Sequence, residues 1–309
     1  MKHFINLKDI PSKDLRKIII DAKKRKSRRK QLNNLEVDKV APLKGKLLVQ
    51  MFEKSSLRTR LSFYLAIKQL GGSTLTLRTD ELHLSKGGES IEDTAKILSN
   101  FGNAFMLRTD NDNKLEEFKK YLSIPIINGL SPSSHPTQIL SDIFTVEEIK
   151  KKSISKLNIT WIGDSNNVLN SLIAASLKFA FKLNIACPNN YRPNRNILSY
   201  IKKNKNKIFL YNNSKKAVTG ADVIFSDKVI SMNDKVNKVK KLEYFKKFKI
   251  TKKLISFAKK DCIFLHCLPR GKEVDEKVFF SKQSKVWQQA LNRIHIQKSI
   301  LLYCFDKLR

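Results

Sequence analysis

KLLVQMFEKSSLRTRLSFYLAIKQLGGSTLTL, residues 46–77, decides the fold. Residues 46–52 form a short apolar run rich in aliphatic side chains, which predicts a strand. Residues 57–70 place apolar side chains at helical spacing, and residues 73–77 return to strand character. A strand, a helix and a second strand in so few residues predict a parallel pair joined by a crossover helix. The turn between the first strand and the helix holds Ser55, Ser56, Arg58, Thr59 and Arg60. A helix start carries unpaired N–H groups and a partial positive charge, so it attracts anions. The Ser56 and Thr59 hydroxyls and the planar Arg58 fork add donors suited to phosphate. The turn therefore reads as a phosphate cradle; a serine cap flanked by solvated arginines is the plainer alternative.

Outward from this stretch the alternation continues. Helices are predicted at about 89–101 and 114–121 and strands at 104–108 and 124–128. A long helix over about 134–151 follows SPSSHPTQ. A second series starts at residue 157 with LNITWIGD as a strand and NVLNSLIAASLKFAF as a helix. LNIACP, KIFLYN, DVIFSD and CIFLHCL are its further strands, and the last 25 residues or so read as a helix. The fold class is α/β, with two doubly wound domains, each with a central parallel sheet, joined by interdomain helices. The expected boundaries are 1–140 for the first domain, with the helix of about 285–309 packing back on it, and 141–284 for the second.

Composition narrows the function. A chain of 309 residues with 41% hydrophobic residues has enough apolar material for two cores and is not a disordered chain. No stretch reaches the roughly 18 apolar residues of a membrane helix, and the first residues lack the apolar segment of a signal peptide. Cys187, Cys262, Cys267 and Cys304 form no zinc-type pair. These features predict a cytoplasmic protein with no membrane contact. The net charge of +33 comes from 61 basic residues. Thirteen are Arg and 48 are Lys, spread through runs such as KKRKSRRK (23–30), KKNKNK (202–207) and KVNKVKK (235–241). Such dispersed lysine reads as decoration of solvated faces, and no nucleic-acid module or aromatic-flanked basic motif accompanies it. No specific nucleic-acid partner is expected, although the charge attracts anionic substrates.

In doubly wound sheets ligands bind beyond the carboxyl ends of strands. The turns there carry Arg108 in FMLRTD, His135 and Gln138 in SSHPTQ, Asp227 in VIFSD, and Cys267 in HCLP. Arg293 lies in ALNRIHIQK, at the last helix. The turn ITWIGDSNNV lacks the Gly-x-Gly-x-x-Gly spacing, which argues against a nicotinamide cofactor.

Taken in order, FEKSSLRTRLSF, IEDTAKILS, LRT, PIINGLSPSSHPTQILSD, WIGDSNNVLNSL, SM, HCLP and NRIHIQK resemble the ornithine carbamoyltransferases. The likeness runs from about residue 40 to the end. The aspartate-using relatives share the Ser-x-Arg-Thr-Arg and His-Pro-x-Gln turns. They usually show His-Pro-Leu-Pro where this chain has His266-Cys267-Leu268-Pro269, and they lack the Gly163–Asn167 and Ser231-Met232 patterns.

The resemblance implies carbamoyl transfer from carbamoyl phosphate to L-ornithine, giving citrulline and phosphate for arginine metabolism, with no metal or organic cofactor. It implies that Ser56, Leu57, Arg58 and Thr59 hold carbamoyl phosphate. Arg108, His135, Gln138 and Arg293 complete that site, with Cys267 and the Leu268 backbone nearby. Asn167, Asp227, Ser231 and Met232 would bind ornithine. Arg108, His135, Cys267 and Asp227 would carry the chemistry, and a homotrimer would form with sites between subunits. Four departures stand out. Leu57 replaces a common Thr, and His83 stands where a Gln from the next subunit usually reaches carbamoyl phosphate. SDKVISMND loses the family's Trp and Gly, and HCLPRGKEV is shorter than usual. An N-acylated ornithine is the alternative amine, and a basic nucleic-acid-binding protein on an inactive transferase fold is the alternative of another class.

Overall fold

The computed structural model describes residues 1–78, 88–230 and 237–308. The chain divides into two compact units, Met1–Phe144 with Leu291–Arg309, and Thr145–Ala290. The first contains α1 (Ser12–Arg28), β1 (Leu47–Phe52), α2 (Leu57–Gln69), β2 (Ser73–Arg78), α3 (Ile91–Phe101), β3 (Ala104–Arg108), α4 (Asp112–Tyr121) and β4 (Ile126–Leu130), and α5 (Pro136–Lys150) begins in it. The second contains β5 (Asn158–Ile162), α6 (Asn167–Lys178), β6 (Lys182–Ala186), α7 (Arg195–Lys203), β7 (Ile208–Tyr211), α8 (Ser214–Val218), β8 (Val223–Ser226), α9 (Lys238–Phe245), α10 (Lys252–Ile255), β9 (Ile263–His266) and α11 (Glu276–Phe279). α12 (Val286–Cys304) starts in the second unit and supplies the last part of the first.

The opening stretch folds as its pattern predicts. Thr59, Ser62, Phe63, Ala66, Ile67 and Gln69 form the buried stripe of α2 at three- and four-residue spacing. The helix stops at Gly71, whose φ of 87° is left-handed and whose added Cβ would lie 2.7 Å from Ala41 Cβ. Glycine is required there on both counts. β1 pairs in parallel with β2 and β3, and β3 pairs with β4, giving the order β2-β1-β3-β4. Val49, Met51, Phe105, Leu107 and Ile126 pack with Leu98, Leu115 and Phe118 in one core cluster. Each such side chain contributes about 1.5–3 kcal/mol on leaving water.

The second sheet is also parallel, in the order β7-β6-β5-β8-β9. Both orders have one point where consecutive connections leave in opposite directions: between β1 and β3, and between β5 and β8. That reversal opens a crevice at the strands' carboxyl ends. The predicted α/β class with two parallel sheets is what the chain adopts.

Two features differ from the sequence reading. KKRKSRRK is partly the end of α1, and Arg29 in it is 8% exposed, with Nη1 2.5 Å from Asp38 Oδ1. Arg25 pairs with Asp21 at 2.8 Å, and Asp21 also accepts from Ser299 at 2.6 Å. Lys298, fully buried on α12, closes this network on Asp38 at 2.5 Å and on Gln69 at 3.2 Å. In the second unit Lys241, from the run KVNKVKK, is 2% exposed. Net charge alone hides such residues, because a buried cation is marked by its partner and not by its neighbours in sequence.

Candidate active site

In the first unit the β1 turn, the end of β3 and the turn after β4 converge. Glu53 N–H donates to the Arg108 carbonyl at 3.0 Å, tying the ends of β1 and β3 together. Ser56 is the extended N-cap residue of α2, and its side chain makes no capping bond. A helix start without a side-chain cap suits an incoming acceptor. Leu57 opens the helix with an exposed side chain, so what it can offer an anion is its backbone. Thr59 is buried and accepts from Arg293 Nη2 at 2.8 Å. Arg293 Nη1 donates to Gln138 Oε1 at 2.8 Å, and Gln138 Nε2 donates to Asp142 at 2.8 Å. This chain fixes the Gln138 amide orientation and joins α2, α5 and α12.

His135 is buried and held well below the usual imidazole range, first by burial and then by Arg293, Arg108 and Arg58. It is neutral at pH 7. Arg108 is lowered to about 10 by burial and by Arg58, and its Nε is a buried donor without a hydrogen-bond partner among the described residues. Like charges gathered at one crevice, with a donor in reserve, form a site for a polyanion.

In the second unit the crevice is formed by the turn after β5, the end of β8 and the turn after β9. Asn166 caps α6, accepting from Val168 N–H and Leu169 N–H at 3.1 Å, and its Nδ2 donates to Asp227 Oδ2 at 2.9 Å. Asn167 is the first residue of α6. Burial raises Asp227 above the usual carboxylate range and Glu273 adds to this, while His266, the Lys228 N–H and Asn166 oppose it. His266 has a fully buried side chain whose Nε2 lies 3.1 Å from Glu273. Its Nδ1 accepts from the Leu268 N–H at 2.9 Å. The imidazole therefore carries its proton on Nε2. Glu273 loses from burial but is held below its usual range by His266 and the Gly271 N–H.

Cys267 follows β9 and is half-exposed, unlike the three buried thiols. Burial pushes Cys187 up to about 11 and Cys262 to about 12, which leaves them unreactive. Leu268 has a φ of 59° and precedes the cis peptide to Pro269. A left-handed non-glycine residue costs on the order of 1–3 kcal/mol and is typical of functional turns.

Of the residues singled out in the sequence, Ser56, Leu57, Arg58, Thr59, Arg108, His135, Gln138 and Arg293 lie in the first unit. Asn167, Asp227, Cys267 and Leu268 lie in the second. His83, Ser231 and Met232 fall outside the described residues. Sequence reasoning missed Asn166, His266 and Glu273. Asn166 was accessible as a helix cap before the apolar run of α6. Glu273 was not, because only the turn of residues 267–272 carries it back to His266.

Residues 2–148 match the family described as aspartate/ornithine carbamoyltransferase, carbamoyl-P binding domain, and residues 155–304 match its Asp/Orn binding domain. The chain is 39% identical over 305 residues to the ornithine carbamoyltransferase of Agrobacterium fabrum, covering 98% of this chain and 97% of that protein. It is 40% identical to that of Caulobacter vibrioides, covering 99% and 98%. Among solved structures, the anabolic ornithine carbamoyltransferase of Campylobacter jejuni superposes with a TM-score of 0.90 at 35% identity, over 99% of this chain and all of that one. The enzyme from Pyrococcus furiosus does so at 0.90 and 36%, over 97% and 96%.

Proposed function

Since the chain belongs to the aspartate/ornithine carbamoyltransferase family, we propose that it moves the carbamoyl group of carbamoyl phosphate to the side-chain amine of L-ornithine, yielding L-citrulline and phosphate. The observation that carries this reading is the gathering of Arg58, Arg108 and Arg293 around a neutral His135 at the first switch point. That charge matches a phosphate dianion. Ser56, the Leu57 backbone, Arg58 and Thr59 take the phosphate, with Arg293 and Gln138 behind them. Arg108 and His135 donate to the carbamoyl oxygen as it becomes an oxyanion, in a site already oriented for that charge. Cys267 and the Leu268 backbone are assigned to carbamoyl phosphate by the family resemblance alone.

Ornithine is assigned to Asp227 and Asn167. The attacking amine must first lose a proton, which passes to Asp227 or to a phosphate oxygen. Its lone pair then attacks the carbamoyl carbon, the carbon–oxygen bond to phosphate breaks, phosphate leaves with the electron pair, and the attacking nitrogen passes its second proton to that phosphate. His266 and the Asn166 amide favour the ionised form of Asp227, against burial and the Glu273 carboxylate. Holding both substrates together supplies the proximity contribution.

The finer reading is a cytoplasmic homotrimer in arginine biosynthesis. Exposed Leu57, Leu61, Tyr64 and Leu75 on α2 and β2 support a subunit contact, and the anabolic label of the Campylobacter relative supports the direction. The test is citrulline formation from ornithine beside product formation from N-acetyl- and N-succinylornithine. An acyl group removes the α-ammonium, a charge that the acidic crevice of Asp227 and Glu273 favours. Ornithine should have much the largest specificity constant; a larger one for an acylated amine refutes the assignment.

A further inference from the structure

Beside the second switch point stands a buried ion pair that the reaction does not consume. Lys241, on α9, has its ammonium 2.5 Å from Asp164 Oδ2 and 5.4 Å from the ring centroid of Tyr191. Desolvating two charges costs several kcal/mol for each ion, so a pair of this kind is weak evidence for a role in stability. Its location gives it another role. Asp164 lies in the turn between β5 and α6, directly after Gly163, whose φ of 151° leaves that turn a glycine's freedom. The Asp164 carbonyl accepts from Trp161 Nε1 at 3.2 Å and from the Asn166 N–H at 3.1 Å. Asn166 in turn spends its oxygen on two helix N–H groups and points Nδ2 at Asp227, 2.9 Å away. On the other side, Ser226 Oγ donates to the Ile162 carbonyl at 2.7 Å and ties the end of β8 to β5. An unbroken series of contacts therefore runs from the Lys241 ammonium to the Asp227 carboxylate.

We propose that Lys241 is a positioning residue for the amino-acid half of the reaction: through Asp164 it clamps the turn of residues 163–166, so that the Asn166 amide holds Asp227 in one orientation. The proposal rests on the reading of Asp227 as the group that meets ornithine. Lys241 itself touches no substrate. Among the described residues the titratable groups acting on Asp227 are His266 at the end of β9 and Glu273 in the following turn, and neither is altered by replacing Lys241. Loosening the turn removes a hydrogen bond that favours the ionised carboxylate, so Asp227 must titrate at higher pH.

The experiment compares full-length wild type with Lys241→Met, Lys241→Arg and Asn166→Ala. One readout is the carbon-13 NMR titration of the Asp227 carboxyl, assigned by its disappearance in Asp227→Asn. The other is KM for ornithine against KM for carbamoyl phosphate. Lys241→Met is expected to move the Asp227 titration upward and raise KM for ornithine about tenfold, with KM for carbamoyl phosphate unchanged. Asn166→Ala should reproduce this, and Lys241→Arg should restore wild-type values. If Lys241→Met does not fold, Lys241→Gln replaces it, since its shorter amide cannot hold Asp164 in the same place. A folded variant with wild-type Asp227 titration and wild-type KM for ornithine overturns the proposal, as does an Asn166→Ala protein that changes neither. If the titration moves but Asp227→Asn leaves ornithine use intact, the clamp stands and the assignment of ornithine to Asp227 falls.

Discussion

The carboxyl ends of β1 and β3 and those of β5 and β8 are the same place in two parallel sheets, yet they carry opposite chemistry. At the first, the charges acting on His135 are Arg293, Arg108 and Arg58, and the imidazole is stripped of its proton. At the second, His266 pairs with Glu273, both act on Asp227 with opposite sign, and burial raises Asp227. Strand order supplies a crevice in both units; the side chains on its rim decide what each admits. One crevice suits a phosphate dianion, and the other suits an amine that must give up a proton.

The hardest test of this division is Asp227→Asn. If Asp227 serves only the amine, kcat/KM for ornithine should fall by about 10²–10⁴-fold, the usual range for a lost general base. Carbamoyl phosphate binding, measured by calorimetry, should persist; its collapse would break the comparison. Arg58→Met tests the other crevice and should weaken carbamoyl phosphate binding by about 10- to 150-fold, the loss of a charge-assisted phosphate contact. Because Arg58 also depresses His135, the imidazole titration followed by NMR should move upward in that variant while that of Asp227 stays in place.

A smaller effect separates the crevices by pH. Asp227 titrates above the usual carboxylate range, so kcat/KM for ornithine should rise with pH through that raised value as the base becomes ionised. In Asn166→Ala the rise should shift to higher pH. Arg108, lowered only to about 10, stays charged throughout this range. The phosphate crevice should therefore show no matching transition in carbamoyl phosphate affinity beyond that of the ligand itself.

Smaller still is the contribution of Lys298. Its pKa is lowered to about 8 by burial, partly offset by Asp38. The unfolded chain holds that proton more tightly, so between about pH 8 and 10.5 the folded state gains stability as pH rises; below 8 both states are protonated and the penalty is constant. Urea midpoints of wild type and Lys298→Met, where Asp38 keeps Arg29, should diverge across that window in favour of wild type, by an amount on the order of 3 kcal/mol at most. The least effect is expected for nucleic acid, where the dispersed lysines predict weak, sequence-independent binding that vanishes steeply with salt.

The fold was largely legible because its signal is repetitive. Apolar runs such as AFMLR alternate with helical stripes, and a parallel sheet buries both faces of its central strands. The positions of the residues proposed for phosphate were legible too, since Ser56–Thr59, Arg108 and His135–Gln138 sit at strand-to-helix turns of one unit, as the alternation of strands and helices places them. What escaped was the pairing across distance. Lys241 sits in a run of mostly solvated lysines and Lys298 in a buried helix, and their acidic partners, Asp164 and Asp38, lie far away in the chain. The His266–Glu273 pair escaped because a strand end gives no sign of which acid a later turn brings back.

The first unit is built from residues 1–144 and 291–309, with the second inserted between them. Arg293, Lys298 and Ser299 all come from the final piece, and each closes a buried contact with the beginning of the chain. During synthesis the ribosome must therefore make the whole second unit before the first can be completed. At about 5–20 residues per second that interval is roughly 7–30 s. Throughout it the N-terminal segment waits with Asp21, Asp38 and Thr59 lacking their last partners. The unit encoded second is the first whose chain is entire, and the newborn protein gains the third of the arginines that act on His135 only when Arg293 emerges.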